Sequence, residues 1–422
     1  MNKTLTPFSA ILLALMTMIG GGLFVNPRQL AETLGALSPF AYVLASLLMF
    51  PLILTIADLT RLQPLSGGLY VYSKQYIGSF AGFLSGWTYF LAKSTSAAFL
   101  LHTVNSFFIS HVDFLAPIHP LLLDGALIAL LTLLHIIGVS INSRIKYLFA
   151  AIKLTPLIFG LFAGFYLFNS DNFDFNSASL SLEQACTAIP VCLYALIGFE
   201  VVCSIGGFIE NPTRNIKRTI IIAFCIVSII TVLLQIAFFG SLGAGLSGTR
   251  EPMLALGSVF FGNNLWLAKL VNSLVFASIT GGAFFMLGSN CWNLVTLAQN
   301  NHLPFKRILT KVNKYNSPWV SLLLQGLTSF TMISITTQQL ALQNMVIFSI
   351  FSCFLMNSIA AISAGRSGLL QIPSIVPVLA IGTCAYVIGL CFINMLQYGV
   401  SFSFLSFFSV GILTSALISL RR

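Results

Sequence analysis

Apolar runs of about twenty residues recur along the whole chain, and each is long enough for an α-helix to cross a bilayer. Short polar connectors separate them. The pattern predicts helices over 7–34 (broken near 19–22), 38–62, 82–110, 120–140, 144–169, 184–209, 215–242, 265–298, 318–336, 340–363, 374–396 and 400–420. Two long polar connectors fall near 63–81 and 299–317. The first contains SGGLYVYSKQYIGSF, where Tyr70, Tyr72 and Tyr76 beside Lys74 suit a helix lying at the membrane interface. The second, NNHLPFKRILTKVNKYNSP, is basic and amphipathic, as a cytoplasmic connector should be.

The first run carries MTMIGGGLFVNP, Met16 to Pro27. Each glycine costs roughly 1 kcal/mol against alanine in a helix interior. Close helix packing is one use for small residues, but it places them four apart on one face. Gly20, Gly21 and Gly22 occupy three faces, which favours an opened helix over packing. The sixth run, IPVCLYALIGFEVVCSIGGFIENP, repeats the theme with Gly198 in mid-span, the pair Gly206 and Gly207, and the carboxylate of Glu200 near the midplane. Helices one and six lie five spans apart and so cross in opposite directions. Interrupted helices at corresponding places in two inverted five-helix halves are the signature of secondary transporters, with substrate held at the midplane. The chain is therefore expected to be a single transmembrane domain, with 5–169 and 184–363 as inverted repeats and 374–420 as two added helices.

Composition sharpens this reading. Of 422 residues, 57% are hydrophobic and only 7% charged, against about 25% charged in soluble domains. A large soluble protein is excluded, and an all-α polytopic membrane protein remains. The net charge of +10 does not call for a nucleic-acid partner, because the basic residues fall in alternate connectors. Counted from a cytoplasmic N-terminus, one side holds Lys3; Arg61 and Lys74; Arg144 and Lys146; Arg214, Lys217 and Arg218; Lys306, Arg307, Lys311 and Lys314; Arg366; and Arg421 and Arg422. The other holds Asp113, Asp171, Asp174, Glu183 and Glu251, with Arg28 and Arg250 as the main cations. This is the positive-inside rule, and it places both termini in the cytoplasm of a multi-pass protein of the cell (inner) membrane. The eight cysteines lie in or beside apolar runs without metal-ligand spacing, so neither a metal nor a cofactor is expected. The first run reads as a retained helix, since it lacks a clean cleavage site.

Six pieces in order carry a family resemblance: the glycine run followed by Leu23 and Phe24; DLTRLQPLSGGLYVY, Asp58 to Tyr72; GFLSGWTYFLAK; KLTPL from Lys153; and GFE with ENPTRNIKRTI, spanning helix six and the start of helix seven. Together they resemble the amino acid–polyamine–organocation transporters over residues 5 to 320. The stretch AQNNHLP departs from the family, with Asn300 and Asn301 where acidic character is common. The resemblance implies a leucine-transporter-type fold of about twelve helices and a substrate that is an amino acid or related amine.

Amides around Gly20, Gly21 and Gly22, with the dipole of the half-helix that follows, suit an α-carboxylate. By resemblance, the carbonyls of Met18 and Ile19, and of Tyr194 and Ile197 before Gly198, face an α-ammonium, and Tyr194 covers the substrate. An ordinary core tyrosine is the competing reading. Lys153 lies nine residues past Arg144, ~13 Å along a helix, too deep to snorkel, so its ammonium needs protein partners or gives up its proton. By resemblance it stands where sodium-coupled relatives bind sodium, and its titration would couple transport to protons. The alternative, a structural lysine bonded to carbonyls of opened helix one, is compatible with that role. Lys93, halfway along helix three, is an intramembrane charge and a functional candidate by default. Glu200, read as the one carboxylate at membrane depth, is a partner for either lysine. A structural ion pair is the bland reading for Lys93, and a satisfied core histidine for His135.

The leading function is a proton-coupled secondary transporter working by alternating access, with an exchanger lacking ion coupling as the alternative. A membrane-embedded enzyme would need a catalytic constellation that the chain lacks. A proton-translocating subunit would need more intramembrane charges than two lysines and a glutamate.

Overall fold

The computed structural model describes residues 5–64, 67–138, 143–175 and 181–420, and its regular elements are helices. In chain order they are α1 (Pro7–Met18), α2 (Gly21–Leu34), α3 (Ser38–Leu62), α4 (Leu69–Tyr76), α5 (Ser79–His111), α6 (Pro120–Ile136), α7 (Ser143–Tyr166), α8 (Leu182–Leu196) and α9 (Val201–Ile205). There follow α10 (Pro212–Leu242), α11 (Gly245–Gly248), α12 (Pro252–Phe261), α13 (Leu265–Gln299), α14 (Lys306–Leu309), α15 (Trp319–Ile335), α16 (Gln339–Arg366), α17 (Ile375–Gln397) and α18 (Ser401–Leu420). Every apolar run of the sequence becomes helix, with ends within a few residues of those expected. Among the described residues, six helical runs are long and apolar enough to span a membrane, and six shorter apolar helices accompany them. Lys3, Leu65, Ser66, Arg421 and Arg422 lie outside the described residues, as do the side chains of Arg144 and Lys146.

Three expectations are corrected. The break in the first run is narrower than its glycines suggest, because Gly20 is extended while Gly21 and Gly22 already open α2. The connector after α10 contains an apolar helix, α12, too short for a spanning pattern to reveal. Two of the three tyrosines of α4, Tyr70 and Tyr72, turn inward rather than anchoring at the interface. Tyr72 is fully buried and donates to the Cys203 carbonyl at 3.4 Å, and Tyr70 meets His302 Nε2 at 3.0 Å. Burial pushes the Tyr70 phenol up to about 12, so it keeps its proton for that bond.

The chain forms two compact units, one of Met1–Ile53, Ile141–Val202 and Phe208–Ile279, the other of Leu54–Ser140, Cys203–Gly207 and Thr280–Arg422. Within the first, α2 packs on α8, α10, α11 and α12, while α1 and α7 pack on α10. Asn26 of α2 donates to the Val191 carbonyl of α8 at 2.7 Å, in an interior where an unmet carbonyl would be costly. The start of the chain is fastened as well, with the Leu5 amide donating to Phe208 and the Leu5 carbonyl accepting from Glu210. In the second unit, α5 is the central post, contacting α4, α6, α15, α16 and α18.

Candidate functional site

α1 ends at Met18, and Ile19 and Gly20 run extended before α2 begins. A helix start leaves its first amides without intrahelical acceptors, and a helix end leaves its last carbonyls without donors. Among the described residues the amides of Gly20, Gly21 and Gly22 and the carbonyls of Met18 and Ile19 make no hydrogen bond within the chain. Met18, Ile19, Gly21 and Gly22 are nevertheless buried. Buried, unmet polar groups of both signs at one break are the requirement for binding a zwitterion.

The sixth run breaks in the same manner. α8 stops at Leu196, Ile197 is extended, and Gly198 takes φ +121°, a backbone that side chains rarely adopt. The two breaks touch. Thr17 Oγ1 donates to the Gly198 carbonyl at 3.1 Å, and a Cβ on Gly198 would lie 3.0 Å from both Met18 Cα and the Thr17 carbonyl oxygen. A Cβ on Gly22 would lie 3.0 Å from the Tyr194 ring and 3.2 Å from Ala195 Cα, so glycine also lets α2 close onto α8. Close packing and helix opening are thus both present. Tyr194 is buried in the last turn of α8 and its ring is part of that contact.

Glu200 is only 1% exposed, and its Oε2 accepts the Gly198 amide at 2.7 Å. A carboxylate inside the break holds the unwound backbone open. Lys153 does not turn to it. The Lys153 ammonium donates to the Met16 carbonyl at 2.5 Å, stabilising the final turn of α1. Lys153 thus makes the bond to a carbonyl of opened helix one that its sequence position suggests as the structural alternative, because a broken helix offers unmet backbone groups. Lys93, in the second unit, sets its ammonium 5.4 Å from the centre of the Tyr89 ring. His135 is satisfied, with Nε2 2.8 Å from the Phe284 carbonyl and the ring stacked on Phe284 over Gly288.

Sequence reasoning missed two buried carboxylates, of which Asp58 of α3 accepts from Arg61 Nε at 2.9 Å and from the Gln371 amide at 2.7 Å. Asp124 of α6 is fully buried and accepts from Asn105 at 2.7 Å and meets His102 Nδ1 at 2.8 Å, both on α5. Glu200, in the turn between α8 and α9, is thus not the one buried carboxylate among the described residues. Asp124 lies five residues into α6, where it reads as a helix-start acid, and nothing local points to partners across the bundle.

The family model described as amino acid permease matches residues 5–417. The serine/threonine exchanger SteT of Bacillus subtilis is 24% identical over 92% of this chain and 91% of its own. An uncharacterized transporter of Mycobacterium tuberculosis is 23% identical over 72% of this chain and 68% of its own.

Proposed function

This chain belongs to the amino acid permease family and is a secondary transporter of an amino acid, and we propose that it binds its substrate on the paired breaks at Gly20 and Gly198. The observation that carries the proposal is the Thr17–Gly198 contact, which brings the unmet backbone groups of the first break against the break of the second. The substrate carboxylate sits on the amides of Gly20, Gly21 and Gly22, where the start of α2 adds its positive dipole end. The α-ammonium faces the carbonyls of Met18 and Ile19 and the end of α8 near Tyr194 and Ile197. Such a seat reads the groups common to all amino acids, and Tyr194 covers them.

The two breaks suit inverted repeats over 5–169 and 184–363, with 374–420 added, rocking between two openings as in the leucine-transporter-type fold. The basic connectors support a cell (inner) membrane location with both termini cytoplasmic. Coupling is assigned to protons taken up and released by Lys153, with Glu200 and Lys93 as gating charges. Exchange without ion coupling is the second reading, favoured by the relative named as a serine/threonine exchanger, which also makes a small hydroxylated amino acid the first substrate to try.

Tyr194 supplies the test. In proteoliposomes loaded with unlabelled serine, Tyr194→Ala is expected to raise the half-saturating concentration for labelled serine about tenfold, as loss of an aromatic cover worth up to about 1.5 kcal/mol implies. Tyr194→Phe keeps the cover and is expected to match the parent within twofold. Equal damage by Phe and Ala would show that the hydroxyl matters and would remove Tyr194 from the cover.

A further inference from the structure

The connector between α13 and α15 is a folded piece with a finished inner side and an unfinished outer one. Inside, Asn313 donates to the Ile136 carbonyl at 2.6 Å and its Oδ1 accepts from the amides of Tyr315 and Ser317. Ser317 reaches the His135 carbonyl at 2.9 Å, and Ser321 reaches the Leu309 carbonyl at 2.9 Å. Leu309 and His302 are buried beneath. The connector is thus fixed to the end of α6 and the start of α15.

Its outer side does what a water-facing connector avoids. Phe305 is 73% exposed, Ile308 51% and Val312 44%. Phe305 also holds φ +59°, an outlier for a bulky residue, as the cap of α14. Interleaved with these are Lys306, Arg307, Lys311 and Lys314, all exposed, and residues 299–317 contain no acid. The flanking helix α13 is among those fit to span a membrane and α15 is apolar, so the connector lies where a bilayer ends.

We propose that this face is seated on the membrane surface, with Phe305, Ile308 and Val312 at the acyl boundary and the four basic side chains on anionic phospholipid headgroups. Apolar side chains alternating with lysine and arginine fit a lipid surface, whose outer layer is charged and whose next layer is hydrocarbon. A nucleic acid or acidic protein would engage the charges and leave the apolar groups wet. The proposal is independent of where the substrate binds.

The test uses the purified full chain in neutral detergent, with its thermal midpoint followed on adding phosphatidylglycerol, phosphatidylcholine or inorganic phosphate. Phosphatidylglycerol is expected to raise the midpoint by several degrees, phosphatidylcholine by much less and phosphate not at all. The combined variant K306Q/R307Q/K311Q/K314Q is expected to lose the difference between the two lipids, and Phe305→Ser to shrink it. Raising salt tenfold should weaken the effect in the unaltered protein, since it screens exposed charges. Equal shifts by both lipids, a phosphate shift matching that of phosphatidylglycerol, or a full phosphatidylglycerol effect in the combined variant would overturn the proposal. If that variant does not purify, Lys311→Gln and Lys314→Gln singly carry the same comparison.

Discussion

Replacing Gly198 with alanine is expected to cut amino acid uptake at least a hundredfold while the protein still reaches the membrane. Two costs fall on one methyl group. The φ of +121° is a region that alanine enters only with strain of about 1–3 kcal/mol. The added Cβ would also lie 3.0 Å from the Met18 Cα and the Thr17 carbonyl oxygen, backbone that cannot turn aside as a side chain can. Relief means moving α8 away from α1 or rewinding the break, and either one separates the seat's two halves. Gly282→Ala in α13 is the control, since nothing lies within 4 Å of its would-be Cβ and its backbone is helical. That variant is expected to transport within twofold of the parent. Labelled serine uptake, normalised to the folded protein peak on size exclusion, distinguishes them. Normal uptake by Gly198→Ala would mean that the break takes no part in the seat.

Lys153→Met is expected to abolish uphill accumulation and to spare downhill exchange. The substitution keeps an unbranched stem but removes the donor to the Met16 carbonyl and the charge with it. The parent should need no sodium and should concentrate serine when an inward proton gradient is imposed on empty vesicles. The methionine variant should equilibrate labelled serine only against serine already inside. Some loss of rate is also expected, because losing a charge-assisted bond to a part-buried carbonyl costs about 1.5–3 kcal/mol. Sodium-stimulated uptake by the parent would place a metal site beside the lysine. Full accumulation by Lys153→Met would leave the lysine as an anchor for α1 alone, and exchange would then be the working mode.

Much of the fold was legible because a membrane helix is a long signal. Twenty apolar residues announce themselves whatever their neighbours do, and Gly20 and Gly198 stood out as breaks against that background. What escaped was short or distant. α12 is ten residues long, below the spanning pattern. The side that Tyr72 presents depends on Cys203, far along the chain, and no local rule supplies it. The Asp124–His102 contact joins two helices, and α6 alone gives no sign of it. The use made of Glu200 was not legible either, because its carboxylate accepts the Gly198 amide two residues away, a need that the break itself creates.

The central claim is that the paired breaks read a substrate's α-groups, and competition with blocked analogues tests it most directly. Labelled serine counterflow would be measured against free serine, serine methyl ester and N-acetylserine. The ester removes the anion meant for Gly20, Gly21 and Gly22, and acetylation removes the cation meant for Met18 and Ile19. Each lost charge-assisted contact is worth about 1.5–3 kcal/mol, and about 1.4 kcal/mol is tenfold in affinity. Both blocked compounds are therefore expected to compete at least tenfold more weakly than free serine. An ester or N-acetyl derivative that competes as well as the free amino acid would contradict the account.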